Sequence, residues 1–86
     1  MSDLDPTRPK WPQIAERLTE RIVSGRYAPG HLISHRAIEE EFGVAKATAG
    51  KAIAELRGRK LVRTEFGMGS FVLDRAEDDH QRDGDE

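Results

Sequence analysis

Residues 34–59 read SHRAIEEEFGVAKATAGKAIAELRGR and carry the pattern from which the fold can be predicted. Ser34 is a favoured helix N-cap, and the spacing of the apolar residues behind it predicts a helix over residues 34–42. Gly43 ends that helix, and the next helical pattern runs over about residues 45–59. Because only one or two residues separate the two helices, the stretch is typical of a helix-turn-helix. The inward-facing residues predicted for these helices are Ile38, Phe42, Ala49, Ala52, Ile53 and Leu56.

An earlier helix is predicted over residues 12–24. Pro12 suits the first helical turn, where its missing N–H costs no hydrogen bond, and apolar residues recur every four positions behind it. A glycine ends this helix, and a Pro-Gly turn followed by a very short extended segment at residues 32–33 leads into the helix-turn-helix. The core stripe predicted for this first helix consists of Ile14, Leu18 and Ile22, with Ala15 beside it.

The segment that follows, LVRTEFGMGSFVL at residues 61–73, is predicted to be a β-hairpin. One short strand begins at residues 61–62, another covers residues 70–73, and residues 67–69 form a flexible tip. Three helices followed by a hairpin make a mainly α fold with a small β-hairpin, which is a winged helix-turn-helix with the hairpin as its wing. The hairpin residues predicted to close the core over the third helix are Leu61, Phe71 and Leu73.

The length of 86 residues allows one small domain. Its folded unit is predicted to cover residues 11–73, between a flexible N-terminal arm (1–10) and an acidic disordered tail (74–86). The chain has no cysteine, which excludes disulfide bonds and thiolate metal sites. No apolar run is long enough for a membrane span or a signal peptide, so a cytoplasmic location is predicted.

The formal net charge of −2 argues against a nucleic-acid partner only if the charge is spread evenly. It is not, because residues 44–73 carry six basic and two acidic side chains, a net +4. Residues 75–86 carry two basic and six acidic side chains, a net −4. A basic segment in an otherwise acidic chain is typical of a nucleic-acid-binding surface, although a solvated helix face would show the same charge.

Residues 11–73 resemble the N-terminal DNA-binding domain of GntR-type bacterial transcription regulators. The resemblance rests on the order and spacing of I-x-S-G-x-Y-x-P-G at residues 22–30, E-F-G-V at 41–44, A-I-A-E-L at 52–56 and F-G-M-G-S-F-V at 66–72. It implies a sequence-specific DNA-binding transcriptional regulator that acts as a repressor. In that family one helix enters the major groove, the wing reaches the adjacent minor groove, and two copies bind a palindromic operator. A homodimer is therefore expected, either in solution or only on DNA.

The residues that the resemblance assigns to DNA binding lie at the start of the second helix, on the groove-facing side of the third helix and at the wing tip. They are Arg36, Lys46, Ala47, Thr48, Gly50, Lys51, Gly67, Met68 and Gly69. Chemistry supports three of these assignments, because Lys46 can reach a guanine, Thr48 a base or a thymine methyl, and Ala47 an apolar edge.

Several features depart from the family. Ala45 stands where a Ser or Thr usually caps the third helix, which costs roughly 1 kcal/mol of stability. Lys46 and Gly50 stand where Arg is frequent, so the family's typical operator is not expected. Because the chain stops soon after Leu73, the C-terminal effector-binding domain of the family is expected to be absent.

Two other functions are compatible with the sequence. A winged helix with small residues on its third helix could be a protein-interaction module, and it could also be a DNA-bending accessory protein of a mobile element. No enzyme is expected, because no nucleophile–base set, paired-carboxylate cleft or phosphate-binding loop occurs. No cofactor and no metal site are expected either, since His31, His35 and His80 lack the spacing of metal ligands.

Overall fold

The computed structural model describes residues 4–74 and shows three helices and a small antiparallel sheet. The predicted winged helix-turn-helix is therefore confirmed. The tail from residue 75 onward, predicted to be acidic and disordered, lies outside the described residues. The elements in chain order are α1 (Lys10–Val23), β1 (Leu32–Ile33), α2 (His35–Phe42), α3 (Lys46–Gly58), β2 (Val62–Glu65) and β3 (Gly69–Val72).

Helix α1 begins at Lys10, two residues before the predicted start, with Pro9 at its N-cap. Pro12 thus occupies the first turn, where the backbone N–H groups have no partner within the helix. The Gln13 side chain holds the preceding segment, because its amide nitrogen donates to the carbonyl oxygens of Asp5 (2.9 Å) and Pro9 (3.0 Å). Residues 5–9, predicted as part of a flexible arm, are therefore tied to the helix by a side chain that lies outside that arm.

The helix-turn-helix follows the predicted caps. The Ser34 hydroxyl accepts a hydrogen bond from the backbone N–H of Ala37 at 3.0 Å, and Gly43 ends α2 in the left-handed conformation (φ 65°). The connection to α3 has three residues, 43–45, instead of the predicted one or two. The middle residue of this turn, Val44, donates its N–H to the Glu39 carbonyl oxygen and packs against the core.

The wing belongs to a three-stranded sheet with the order β1–β3–β2. Leu32 lies opposite Phe71 in the β1–β3 pair, and Arg63 lies opposite Phe71 in the β2–β3 pair. Backbone hydrogen bonds extend the first pair, with Val72 donating to the carbonyl oxygen of His31 at 2.9 Å. The sequence predicted the extended segment at residues 32–33 but not its place in the sheet, so the hairpin gains a third strand.

The core lies between the helices and one face of the sheet. The predicted helical core residues are all buried, and Leu61 is buried as predicted. Phe71 and Leu73 are a correction, because they are only half-buried and β3 turns Ser70 and Val72 inward instead. The buried Ser70 hydroxyl lies 3.0 Å from the Thr64 hydroxyl, which satisfies its hydrogen-bonding capacity.

One ion pair fixes α1 against the helix-turn-helix. The Arg21 guanidinium donates to the Tyr27 hydroxyl at 2.7 Å and to the Glu41 carboxylate through both of its terminal nitrogens. Its central carbon also lies 5.7 Å from the ring centroid of Phe42, within cation–π range. The hydrogen bonds from Arg21 lower the pKa of the Glu41 carboxyl below its ordinary value.

This ion pair predicts a specific loss of stability in acid. Because the pKa of Glu41 is lower in the folded than in the unfolded chain, its contribution to stability is complete above its ordinary pKa of about 4.5 and is lost as the pH falls through the folded value. Thermal unfolding followed by circular dichroism at pH 7 and pH 3 should therefore show a smaller acid-induced drop in Tm for Arg21→Met than for the wild type. Equal drops would contradict the prediction.

Candidate nucleic-acid interface

The first half of α3 presents two lysines to solvent. Lys46, Ala47 and Lys51 are exposed and Thr48 is half-buried, on the side of the helix away from the buried Ala49 and its neighbours in the core. Within residues 4–74, neither lysine makes a hydrogen bond or an ion pair. Their ammonium groups therefore need not break an internal contact to meet an anion.

The N-terminus of α3 has no side-chain cap. Ala45 occupies the N-cap position in an extended conformation (φ −76°, ψ 163°), and its side chain supplies no capping hydrogen bond, as predicted from its missing hydroxyl. The first turn contains no acidic residue. The first backbone N–H groups of the helix and the positive end of its dipole are thus left for an external acceptor beside Lys46.

Gly50 faces the start of α2 and is half-buried. A Cβ atom built on Gly50 would lie 3.8 Å from Nε2 of His35, an ordinary van der Waals contact. The predicted site residue Gly50 is therefore in contact range of His35, which was not among the residues assigned to DNA binding, and the space between them is large enough for a methyl group.

Replacing Gly50 by Ala is expected to raise the free energy of unfolding by about 0.5–1 kcal/mol, because alanine is a better helix former and the added methyl fits. Thermal denaturation should show a higher Tm. Gly58→Ala is the matched control, because the same change on the same helix places its Cβ in open space. If Gly50→Ala lowered Tm while Gly58→Ala raised it, the contact with His35 would be tighter than inferred.

Arg36 stands exposed on the first turn of α2. Its guanidinium Nε donates to the Glu40 carboxylate at 3.0 Å, four residues along the helix, with side chains 85% and 68% exposed. Such a solvated pair contributes little stability, so a phosphate can replace the Glu40 carboxylate at small cost. The structure thus leaves Arg36 available for the predicted contact.

The tip of the wing carries two exposed apolar side chains. A hydrogen bond from the Met68 N–H to the Glu65 carbonyl oxygen (3.0 Å) closes the turn. Met68 is 61% exposed, and Phe66, which the sequence analysis did not single out, is fully exposed. The family resemblance assigned Met68 to the wing tip, and the place of Phe66 next to the tip glycines is the signal that could have identified it as well.

The two wing glycines have different surroundings. At Gly67 (φ +81°) a Cβ would meet open space. At Gly69 (φ +134°) it would lie 2.9 Å from Cδ1 of Leu32 and 3.1 Å from the Ile33 carbonyl oxygen. Gly67 is thus free at the tip, whereas Gly69 permits the close approach of β1 and β3.

The wing tip and the start of α2 line a common cleft of about 360 Å³. His35 belongs to this cleft and is also the neighbour of Gly50 on α3. Arg57, near the end of α3, donates to the Thr64 hydroxyl of β2 at 3.1 Å and so attaches the wing to that helix. The start of α2, the first half of α3 and the wing tip therefore form one surface, here called the α3–wing face. The residues that line the cleft are Ser34, His35, Thr64, Glu65, Phe66, Gly67, Met68 and Gly69.

Residues 11–72 match the profile of the bacterial regulatory proteins of the gntR family. The chain belongs to the GntR family. The match covers all three helices and the wing, and it confirms the family resemblance seen in the sequence.

One curated relative and two solved structures show how much of the chain is similar to known proteins. The chain is 32% identical over 66 residues to the mannosyl-D-glycerate transport/metabolism system repressor MngR of Escherichia coli, covering 76% of this chain and 28% of that protein. A GntR family regulator from Listeria monocytogenes has a TM-score of 0.77 at 26% identity, covering 93% of this chain and 76% of that one. The DNA-binding domain of AraR, solved in complex with operator ORX1, has a TM-score of 0.72 at 29% identity, covering 85% of this chain and 90% of that domain.

These relatives are transcriptional regulators, not enzymes, and the chain spans about a quarter of the length of the curated ones. None of the helices within residues 4–74 has the length and apolar character needed to cross a membrane. Over the same part of the chain, no three His, Asp or Glu side chains are grouped so that they could hold a metal ion.

Proposed function

We propose that the α3–wing face binds double-stranded DNA at a specific sequence and that the protein represses transcription by occupying that sequence. The observation that carries this proposal is the pair of unengaged lysines on α3, next to an uncapped and acid-free helix N-terminus. Solved complexes of the AraR DNA-binding domain with its operators, whose fold this chain shares, support operator DNA as the partner.

In this proposal α3 enters the major groove, which is wide enough for a helix. A phosphate accepts hydrogen bonds from the free N–H groups at the start of α3, and a second phosphate replaces Glu40 as the partner of Arg36. Lys46, Ala47 and Thr48 then face base edges. Lys51 lies one turn further along the exposed side, and the small Gly50 lets the helix backbone approach the bases.

Two copies are proposed to bind a palindromic operator. One α3 reads one half-site, so a second copy related by a two-fold axis would read its inverted repeat, and the half-sites would be separated by about one helical turn of DNA, roughly 34–36 Å. Since the proposed partner is chromosomal DNA of a bacterium, the cytoplasm is the expected compartment.

Selection of bound duplexes from a random pool tests the proposal. Repeated binding and amplification with the wild-type chain should enrich one inverted-repeat sequence, and its affinity should fall steeply with salt because bound cations are released from the phosphates. A pool that stays random, together with binding independent of salt, would overturn it. Recovery of a protein partner that protects the same face would then identify a protein-interaction module.

A further inference from the structure

The wing tip keeps its largest side chain entirely in water. Phe66 is 102% exposed, and Met68, two residues away in the same turn, is 61% exposed. By contrast, Phe42 lies in the core and Tyr27 packs against it, and burying a phenylalanine ring removes about 150–250 Å² of surface from water. The tip therefore has a large apolar surface that is not buried on folding and is available for binding.

Electrostatic attraction does not account for binding of this tip to a polyanion such as DNA. From Thr64 to Ser70 the only ionisable side chain is Glu65, and its carboxylate is engaged by Arg63 of the same strand. The tip carries no basic group to attract phosphates or to follow the negative potential of a narrow groove. Its contribution to an interface is thus apolar.

The position of the tip points to the minor groove. The wing shares its cleft with the start of α2 and is attached to α3. If α3 is seated in the major groove as proposed, the tip would lie beside that groove, across the adjacent phosphate strand. The groove met there is about 6 Å wide, too narrow for a helix but wide enough for a thin turn. Gly67, without a side chain, keeps the turn thin between the two apolar residues.

We propose that Phe66 acts as a wedge that inserts from the minor groove between stacked base pairs, with Met68 beside it, and bends the DNA. This rests on the proposed function and adds a second determinant of specificity. Apolar wedges of this kind partly unstack one base step and kink the duplex by about 20–90°. Pyrimidine–purine steps unstack most easily, so the wedge favours such a step at a fixed distance from the bases under α3.

The test compares three chains on one DNA. A duplex carrying the sequence enriched by the wild type is labelled at both ends, and its bend is measured by fluorescence energy transfer with saturating protein. The wild type should bend the duplex by at least about 20°. Phe66→Ala should lose most of the bend and roughly ten- to a hundredfold in affinity, whereas Phe66→Leu, which keeps an apolar wedge, should retain most of both.

Salt dependence separates the wedge from a phosphate contact. Phe66→Ala should leave the slope of log affinity against log salt unchanged, because no cation is removed, whereas Arg36→Ala should reduce it by about one. Val23→Ala, which trims another exposed apolar residue at the end of α1, is the control and should change neither bend nor affinity. Because Phe66 has no packing partner, its variants should unfold at the wild-type temperature.

Three outcomes overturn the wedge while leaving sequence-specific binding in place, two from the bending and affinity measurements and one from a new selection. The first is a Phe66→Ala chain that bends and binds like the wild type, and the second is a loss of affinity with an unchanged bend. A new selection with Phe66→Ala should lose the preferred pyrimidine–purine step but keep the bases under α3, and retention of the step would also contradict the proposal. If the wild type enriches no sequence at all, the proposed function fails first, and the wedge fails with it.

Discussion

Replacing Lys46 and Lys51 together by Ala is expected to lower the affinity for the selected operator about a hundredfold near 0.15 M salt. In the proposed complex Lys46 faces a base edge and Lys51 contacts a phosphate. The expected losses are about 1–3 kcal/mol for the base contact and somewhat less for the phosphate contact, and their sum corresponds to about this factor in affinity. The slope of log affinity against log salt should also fall by about one, since Lys51 is the one of the two lysines that is proposed to neutralise a phosphate. Titration at four salt concentrations measures both effects.

The control for this double variant is Lys10→Ala combined with Arg26→Ala. It removes the same charge from exposed residues at the start of α1 and in the loop after it, neither of which belongs to the α3–wing face. If the affinity followed net charge alone, the two double variants would lose equally. We expect the control to lose less than threefold, because charges farther than about one Debye length from the DNA are screened at this salt.

Replacing Gly69 by Ala is expected to be the most destabilising single change in the wing, with a loss of about 3 kcal/mol in the free energy of unfolding. The backbone at Gly69 has φ +134°, a conformation open essentially to glycine alone, which costs about 1–3 kcal/mol for any other residue. The added methyl would also approach the Ile33 carbonyl oxygen to 3.1 Å, and this atom belongs to backbone that the sheet holds in place. Urea unfolding at pH 7 measures the loss.

Gly67→Ala is the matched control for that prediction. Gly67 has a positive φ as well, but nothing lies within 4 Å of its would-be Cβ, so only the backbone cost of about 1 kcal/mol is expected. The two glycines are predicted alike from the sequence as parts of one wing tip. Equal losses for the two variants would contradict the close approach of β1 and β3 at Gly69.

The helices of the fold could be predicted because their signals are local. The partner of the Ser34 cap is the N–H of Ala37, only three residues later. Gly43 ends α2 in a left-handed conformation, which glycine adopts without help from distant residues. The apolar spacing along each helix identified its buried side correctly. The start of α1 was less predictable, because Pro12 is tolerated at more than one position of a first turn.

The sheet was harder to predict because its signals depend on distant partners. In Ser70–Leu73 the alternation of a strand allows two faces, and hydrophobicity alone favours Phe71 and Leu73 for the core. The structure selects the other face, since the Thr64 hydroxyl provides a partner for buried Ser70. The two residues of β1 were predicted as an extended segment, but so short a strand does not indicate which strand it pairs with.

The candidate site was predictable where chemistry follows from helical position and unpredictable where it follows from packing. The exposure of Lys46 and Lys51 follows from their place opposite the core residues of α3. The contact range between Gly50 and His35 depends on how α2 crosses α3, which no local pattern records. The link from Arg21 to Glu41 likewise joins two helices whose relative placement only the folded chain defines.

The order of strands in the small sheet has a consequence for how the chain folds. The central strand, β3, comes last along the described chain, and its partner β1 precedes the whole helix-turn-helix. Pairing β1 with β3 requires closing a loop that contains α2 and α3. The entropic cost of that closure is smaller once the two helices have packed against each other. On a growing chain, the helices can dock while β3 is still being synthesised. The sheet is therefore expected to form late in folding, so that formation of the wing would report that the helix-turn-helix is already in place.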